Sequence, residues 1–189
     1  MFFCSVVNSQ GQENNLENNL FGIQIGIYPL SVYNEYRINR ALVLRSELGF
    51  SYAWVGGTGI DGSDQWALTP DVVLEPRLYY NINRRISKEK RIDGNSGNYL
   101  AVHLGYRIGE LAIRSKNITV FPSFSVLPMY GLRRNLGKHF NFEFAFGIGH
   151  SWTFQEFDYV DYMTSETETY KGTNSELVYG LRLAFGFIF

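Results

Sequence analysis

The chain has 189 residues, a formal net charge of -1 and a hydrophobic fraction of 45%. One domain is the natural expectation at this length. No run of about 18 apolar residues is present, which excludes a helical membrane span, and a single cysteine, Cys4, excludes an intrachain disulfide.

Residues 1–12 combine a short apolar stub with small and polar residues, the character of a signal-peptide remnant. Residues 13–19 form a polar N-terminal lead, and residues 20–189 carry strand-like alternation. Phe21, Ile23, Ile25 and Ile27 first alternate with Gly22, Gln24 and Gly26. A first strand is expected over residues 18–28, a tight turn near Pro29, and a second strand over residues 32–38. Both are short for a crossing of about 9–11 residues.

Leu42, Leu44, Leu48, Phe50, Tyr52 and Trp54 then oppose Val43, Arg45, Glu47, Gly49, Ser51 and Ala53. Val72, Leu74, Leu78 and Tyr80 oppose Val73, Glu75, Arg77 and Tyr79; Leu100, Val102, Leu104 and Tyr106 oppose Ala101, His103 and Gly105. Residues 118–130 are strand-like but interrupted by Pro122 and Pro128. Phe140, Phe142, Phe144, Phe146 and Ile148 alternate cleanly with Asn141, Glu143, Ala145, Gly147 and Gly149. Last, Tyr179, Leu181, Leu183, Phe185, Phe187 and Phe189 share one face, with Gly180, Arg182, Ala184 and Gly186 on the other.

Large apolar groups on one face and small or polar groups on the other fit a transmembrane barrel strand, with lipid outside and a lumen inside. Thirteen Tyr, fifteen Phe and nineteen Gly suit interfacial girdles and a narrow interior. The expected fold is therefore all-β: an antiparallel up-and-down transmembrane β-barrel of eight strands, with a shear near ten. Turns on the side of the termini fall near Asn39, at residues 81–98 and at residues 134–139. The opposite loops fall near Pro29 and at residues 55–65, 107–117 and 155–175. The 81–98 turn is long and basic, unlike the short turns usual on that side.

These strands, ending on an aromatic residue, resemble the small eight-stranded Gram-negative outer-membrane barrels of the outer-membrane protein A and X type. The resemblance covers roughly residues 20–189 and implies a place in the bacterial outer membrane. It also implies that Phe185, Phe187 and Phe189 act as an assembly signal for the barrel-insertion machinery. It carries no catalytic residue, metal or cofactor onto this sequence.

Arg45, Glu47, Glu75, Arg77, His103, Glu143 and Arg182 all fall on the lumen face. Eight strands enclose an interior that side chains can fill, and buried charges there must be paired. A self-neutralising plug is expected, rather than an ion path. Glu156, Asp158, Tyr159, Asp161 and Tyr162 in the last loop suit a protein or glycan contact surface. The spelling Gly57-Thr58-Gly59-Ile60-Asp61-Gly62 matches a dinucleotide fingerprint, but no helix follows to receive a phosphate.

The functional expectation is a non-enzymatic outer-membrane protein, structural or surface-interacting, in contact with outer-membrane lipid and lipopolysaccharide and with no nucleic-acid partner. Two alternatives stand beside it. One is a lipid-modifying outer-membrane enzyme using His150, although adjacent His150 and Ser151 must point to opposite faces. The other is a soluble lipocalin-like carrier, which would need its apolar residues to face inward.

Overall fold

The computed structural model describes residues 16–55, 64–116, 118–160 and 167–189. Nine strands form one antiparallel sheet: β1 (Asn19–Gly26), β2 (Ser31–Arg37), β3 (Leu42–Val55), β4 (Gln65–Leu78), β5 (Gly97–Arg107), β6 (Ile113–Arg114), β7 (Ser123–Leu136), β8 (Phe140–Val160) and β9 (Thr167–Ile188). Each main strand pairs with its neighbour in the chain, and β9 returns to pair with β1, from Gly22↔Ile188 to Gly26↔Ala184. The two-residue β6 only brushes β4. Eight strands thus close an up-and-down barrel, and the ring leaves no unpaired edge through its middle.

Antiparallel order puts the start of β1, the end of β9 and the β2–β3, β4–β5 and β7–β8 connections at one end, the terminal end. The other four connections lie at the opposite, loop end. No helix among the described residues is long and apolar enough to cross a membrane.

The stagger is larger than expected. Ile23 leads through Val32, Leu48, Val72, Tyr106, Phe124, Trp152 and Ser175, each the register partner of the last. Continuing the β9–β1 register returns to β1 twelve residues from the start, a shear of twelve rather than ten. More stagger means more tilt and a wider interior, which the bulky lumen residues occupy.

Pro128 does not end its strand. β7 begins just after Pro122 and runs through Pro128 to Leu136, longer than the 118–130 expectation. The β7–β8 register skips Leu127 and Pro128, and the β4–β5 register likewise skips Glu75 and Pro76. Each proline lacks a donor toward one neighbour, and the ladder opens there without breaking the ring.

The 155–175 loop is also revised. β8 and β9 remain paired from Phe154↔Thr173 to Val160↔Thr167, past the last β7–β8 partner pair, Ser123↔Thr153. This two-stranded ribbon extends on the order of 20 Å beyond that pair.

Two inner-face glycines set the packing of the lumen. A Cβ at Gly22 would overlap the Tyr33 phenol, and one at Gly131 would overlap the Tyr99 ring. Both phenols fill the space left by the missing side chain on the neighbouring strand and are 3% and 0% exposed. The outer face is the reverse: Ile25, Leu48, Leu100, Phe146, Leu183 and Phe185 are all exposed. Phe142 and Phe144, expected to be exposed on this same face, are half-buried. The Phe185 ring packs on Phe142 at 5.3 Å and the Phe146 ring on Phe144 at 6.2 Å.

Candidate functional site: a charged lumen, a cap and a vestibule

Side-chain alternation places eight charged groups at the same depth of the lumen. Glu35 comes from β2, Arg45 and Glu47 from β3, Glu75 and Arg77 from β4, Arg133 from β7, Glu143 from β8 and Arg182 from β9. None is more than 7% exposed. Four arginines meet four glutamates, so the set is neutral as a whole. Residues two apart on one strand share a face. Arg45 Nε therefore donates to Glu47 Oε2 at 2.8 Å, and Arg77 Nε to Glu75 Oε1 at 2.6 Å. Antiparallel register then sets Arg45 opposite Glu75.

Arg77 is the centre. Its three nitrogens reach Glu75, Glu35 at 2.9 Å and Glu143 at 2.6 Å. Glu143 also accepts from Tyr99 Oη at 2.7 Å, Gln24 Nε2 at 3.0 Å and Arg182 Nη1 at 3.1 Å. Glu35 accepts from Arg133 Nη1 and Asn95 Nδ2, both at 2.7 Å. Guanidinium planes complete the packing: Arg45 lies 3.7 Å from the Tyr33 ring centre, and Arg77 lies 4.3 Å from that of Tyr99. Burying any of these charges alone would cost several kcal/mol; charge-assisted bonds and cation–π contacts offset that cost here.

Six of the seven charges read from alternation (Arg45, Glu47, Glu75, Arg77, Glu143 and Arg182) sit in this one network. His103 touches its edge, with Nδ1 3.2 Å from Glu75 Oε2 and a side chain 14% exposed. Two members escaped the sequence reading, Glu35 and Arg133. Both obey the same alternation: Glu35 follows Ser31 and Tyr33 on the inner face of β2, and Arg133 follows Met129 and Gly131 on β7.

The terminal end is closed by residues 79–96, the long basic turn. It forms a short helix, α1 (Ile82–Ile86), and a 3-10 turn (Asp93–Asn95). Ile82 and Ile92 turn inward and pack with Leu16, Tyr79, Tyr99 and Val43. Asn95 adopts φ 59°, a left-handed conformation that asparagine accepts more readily than most residues. That conformation delivers its amide to Glu35, while its Oδ1 accepts from Glu17 N at 2.9 Å. Asp93 is held by Arg91 at 2.5 Å, and that hydrogen bond draws the carboxyl below its ordinary range. A turn expected to be a long connection is thus a stopper keyed to the charged layer.

Toward the loop end the lumen widens into a cavity of about 250 Å³, floored by Glu47, Arg182 and His103. Hydroxyls of Tyr28, Ser123, Ser125 and Ser151 line its walls. Asp71 also lines it, with its Oδ1 3.5 Å from Arg107 Nε. The volume suits on the order of eight waters. Below it, the charged layer and the cap stand in series. Planar-bilayer recordings on the purified protein should therefore show no steady porin-like conductance; a large, stable open channel would refute a closed lumen.

The remaining candidates lie elsewhere. Phe185, Phe187 and Phe189 are exposed on the outer face. Phe187 packs edge-on against Phe140 and Phe189, with ring centres 5.4 Å apart in both cases. Phe189 N still donates to Phe21 O at 3.1 Å. Glu156 pairs with Lys171 across the ribbon at 2.6 Å, both side chains well exposed. Asp158 and Tyr159 belong to β8, while Asp161, Tyr162, the Gly57–Gly62 spelling and residues 1–12 lie outside the described residues. His150 is exposed on the outer face near Trp152, and Ser151 is buried on the inner face, so the two do not meet. Comparison with protein-family models, with curated proteins and with solved structures gives no match to this chain.

Proposed function

We propose that this protein is a bacterial outer-membrane barrel of the small eight-stranded kind, with a closed lumen and a role at the cell surface carried by the β8–β9 ribbon. The observation that carries the reading is the inversion of its faces. Four arginines and four glutamates are inside, while Phe, Leu, Ile and Val residues cover the outside. Proteins in water rarely expose contiguous apolar surface beyond a few hundred Å², whereas lipid-facing strands require it. A carrier of apolar ligands would need the opposite arrangement.

Aromatic residues gather toward both rims, as interfacial girdles do. Tyr52, Trp54 and Trp66 are exposed toward the loop end, and Tyr36, Tyr80 and Phe187 toward the terminal end. The ribbon supports the surface role. Past Phe154 it has no third strand among the described residues, so both of its outer edges offer backbone donors and acceptors.

The test is fractionation of cells making the full chain. The protein should stay in carbonate-washed outer membranes and migrate in a heat-modifiable form; recovery in the soluble fraction would defeat the proposal. A second result concerns assembly. Deleting Phe189 should lower insertion much more than Phe144→Ala. The burial of one aromatic is worth only about 1.5–3 kcal/mol, too little to open a closed ring, so a large loss must come from recognition by the insertion machinery. Equal yields of heat-modifiable barrel from the two variants would make Phe189 an ordinary lipid contact.

A further inference from the structure

The two rims of the barrel differ in charge. At the terminal end Arg40, Arg84, Lys88, Lys90 and Lys138 are exposed, and none has an ion-pair partner among the described residues. Because α1 turns Ile82 inward, the cap holds Arg84, Lys88 and Lys90 on its outer surface. Arg37, Arg85 and Arg134 at the same end donate to backbone carbonyls, which leaves their charge unneutralised. Among the described residues only Arg91 of this group meets a carboxylate, that of Asp93, and one further acid, Glu89, is exposed in the cap between Lys88 and Lys90. The loop end is more nearly balanced: Arg107 pairs with Asp71 and Lys171 with Glu156, and exposed Arg114 and Lys116 stand beside exposed Glu110 and Glu176.

A second feature lies on the outer wall beside this collar. Tyr80 Oη donates to Tyr130 Oη at 3.3 Å, Asn98 Nδ2 to Tyr130 Oη at 3.1 Å, and Arg134 Nη2 to Asn98 Oδ1 at 2.5 Å. This is a polar, hydrogen-bonded patch on a wall that is mostly apolar. It marks the depth at which hydrocarbon gives way to headgroups, and the collar's cations stand next to it.

We propose that this collar binds the phosphate groups of anionic phospholipids in the leaflet at the terminal end. The inference rests on the membrane reading above. Five unpaired cations on one rim repel one another, and a sheet of phosphates within a Debye length relieves that repulsion. A lipid surface fits better than a soluble phosphate. The cations are spread over the cap and two separate turns, and they do not converge on an enclosed pocket.

The full chain would be reconstituted in vesicles of phosphatidylcholine containing a minority of phosphatidylglycerol. Lipid co-purifying with the extracted barrel would then be measured by native mass spectrometry. The protein should enrich phosphatidylglycerol roughly tenfold at low salt, with the enrichment falling as salt rises. R84Q/K88Q/K90Q should lose most of it, whereas K116Q/K171Q at the loop end should keep it. If the triple variant does not fold, R40Q/K138Q provides the same comparison. Unchanged enrichment in the collar variant would overturn the inference, and so would displacement of the lipid by excess inorganic phosphate. A chain that inserts into vesicles but shows no lipid preference refutes the collar alone; a chain that never inserts refutes the membrane reading.

Discussion

Arg77→Met should destabilise the barrel by about 3–5 kcal/mol, the range for breaking a buried ionic network by removing one partner. Arg77 alone reaches Glu35, Glu75 and Glu143, and all four side chains are fully buried. Without it, three carboxylates share the remaining arginines in a space that water reaches poorly. The methionine fills much of the volume, so the loss reads charge rather than cavity. Arg77→Lys should recover little, because an ammonium cannot reproduce a planar fork that meets three carboxylates and stacks on Tyr99. The check is the urea midpoint of the heat-modifiable band. A midpoint unchanged by Arg77→Met would show that the network contributes nothing to stability.

Phe146→Arg should block insertion while leaving the lumen intact. Phe146 lies on the outer face of β8, opposite Leu181 on β9 and Tyr130 on β7. An arginine on the lipid face costs about 2–4 kcal/mol near the bilayer midplane and much less at the interfaces. The matching substitution Phe154→Arg, on the ribbon beyond β7, should have little effect. Vesicle-folding yields would compare the two. Equal yields would mean that the wall around Phe146 does not face hydrocarbon.

Much of this architecture is legible from side-chain parity. The run from Phe140 to Gly149 and the run from Tyr179 to Phe189 each state which face is apolar, and the structure keeps both faces as read. Parity also placed Arg45, Glu75 and Glu143 on one surface. It could not show that they converge, because convergence depends on the stagger of strands distant in the chain. Glu35 was obscured on a seven-residue strand whose outward residues include Asn34, so its alternation is faint. Arg133 was hidden behind Pro128, which reads as an interruption and in fact only opens the ladder on one side.

The cap and the ribbon were the least legible parts. Residues 81–98 have no period of two, and Ile82 and Ile92 are isolated apolar residues in a basic turn. Their inward packing depends on a lumen mouth that only the closed ring creates. In the ribbon, polar residues such as Lys171 and Thr173 read as loop. Their strand form comes from cross-strand pairing with β8, as in Phe154↔Thr173 and Glu156↔Lys171.

The central claim is that the apolar face of this ring meets lipid. Nitroxide labels at Phe146, Leu183 and Leu74 on the outer wall, and at Ala145 and Ala184 on the inner wall, would test it in vesicles. Collision with oxygen and with a water-soluble nickel chelate should separate the two walls. Outer-wall labels should be open to oxygen and closed to nickel, while inner-wall labels should be shielded from both by the charged layer. Outer-wall labels as open to nickel as an exposed loop would contradict the account.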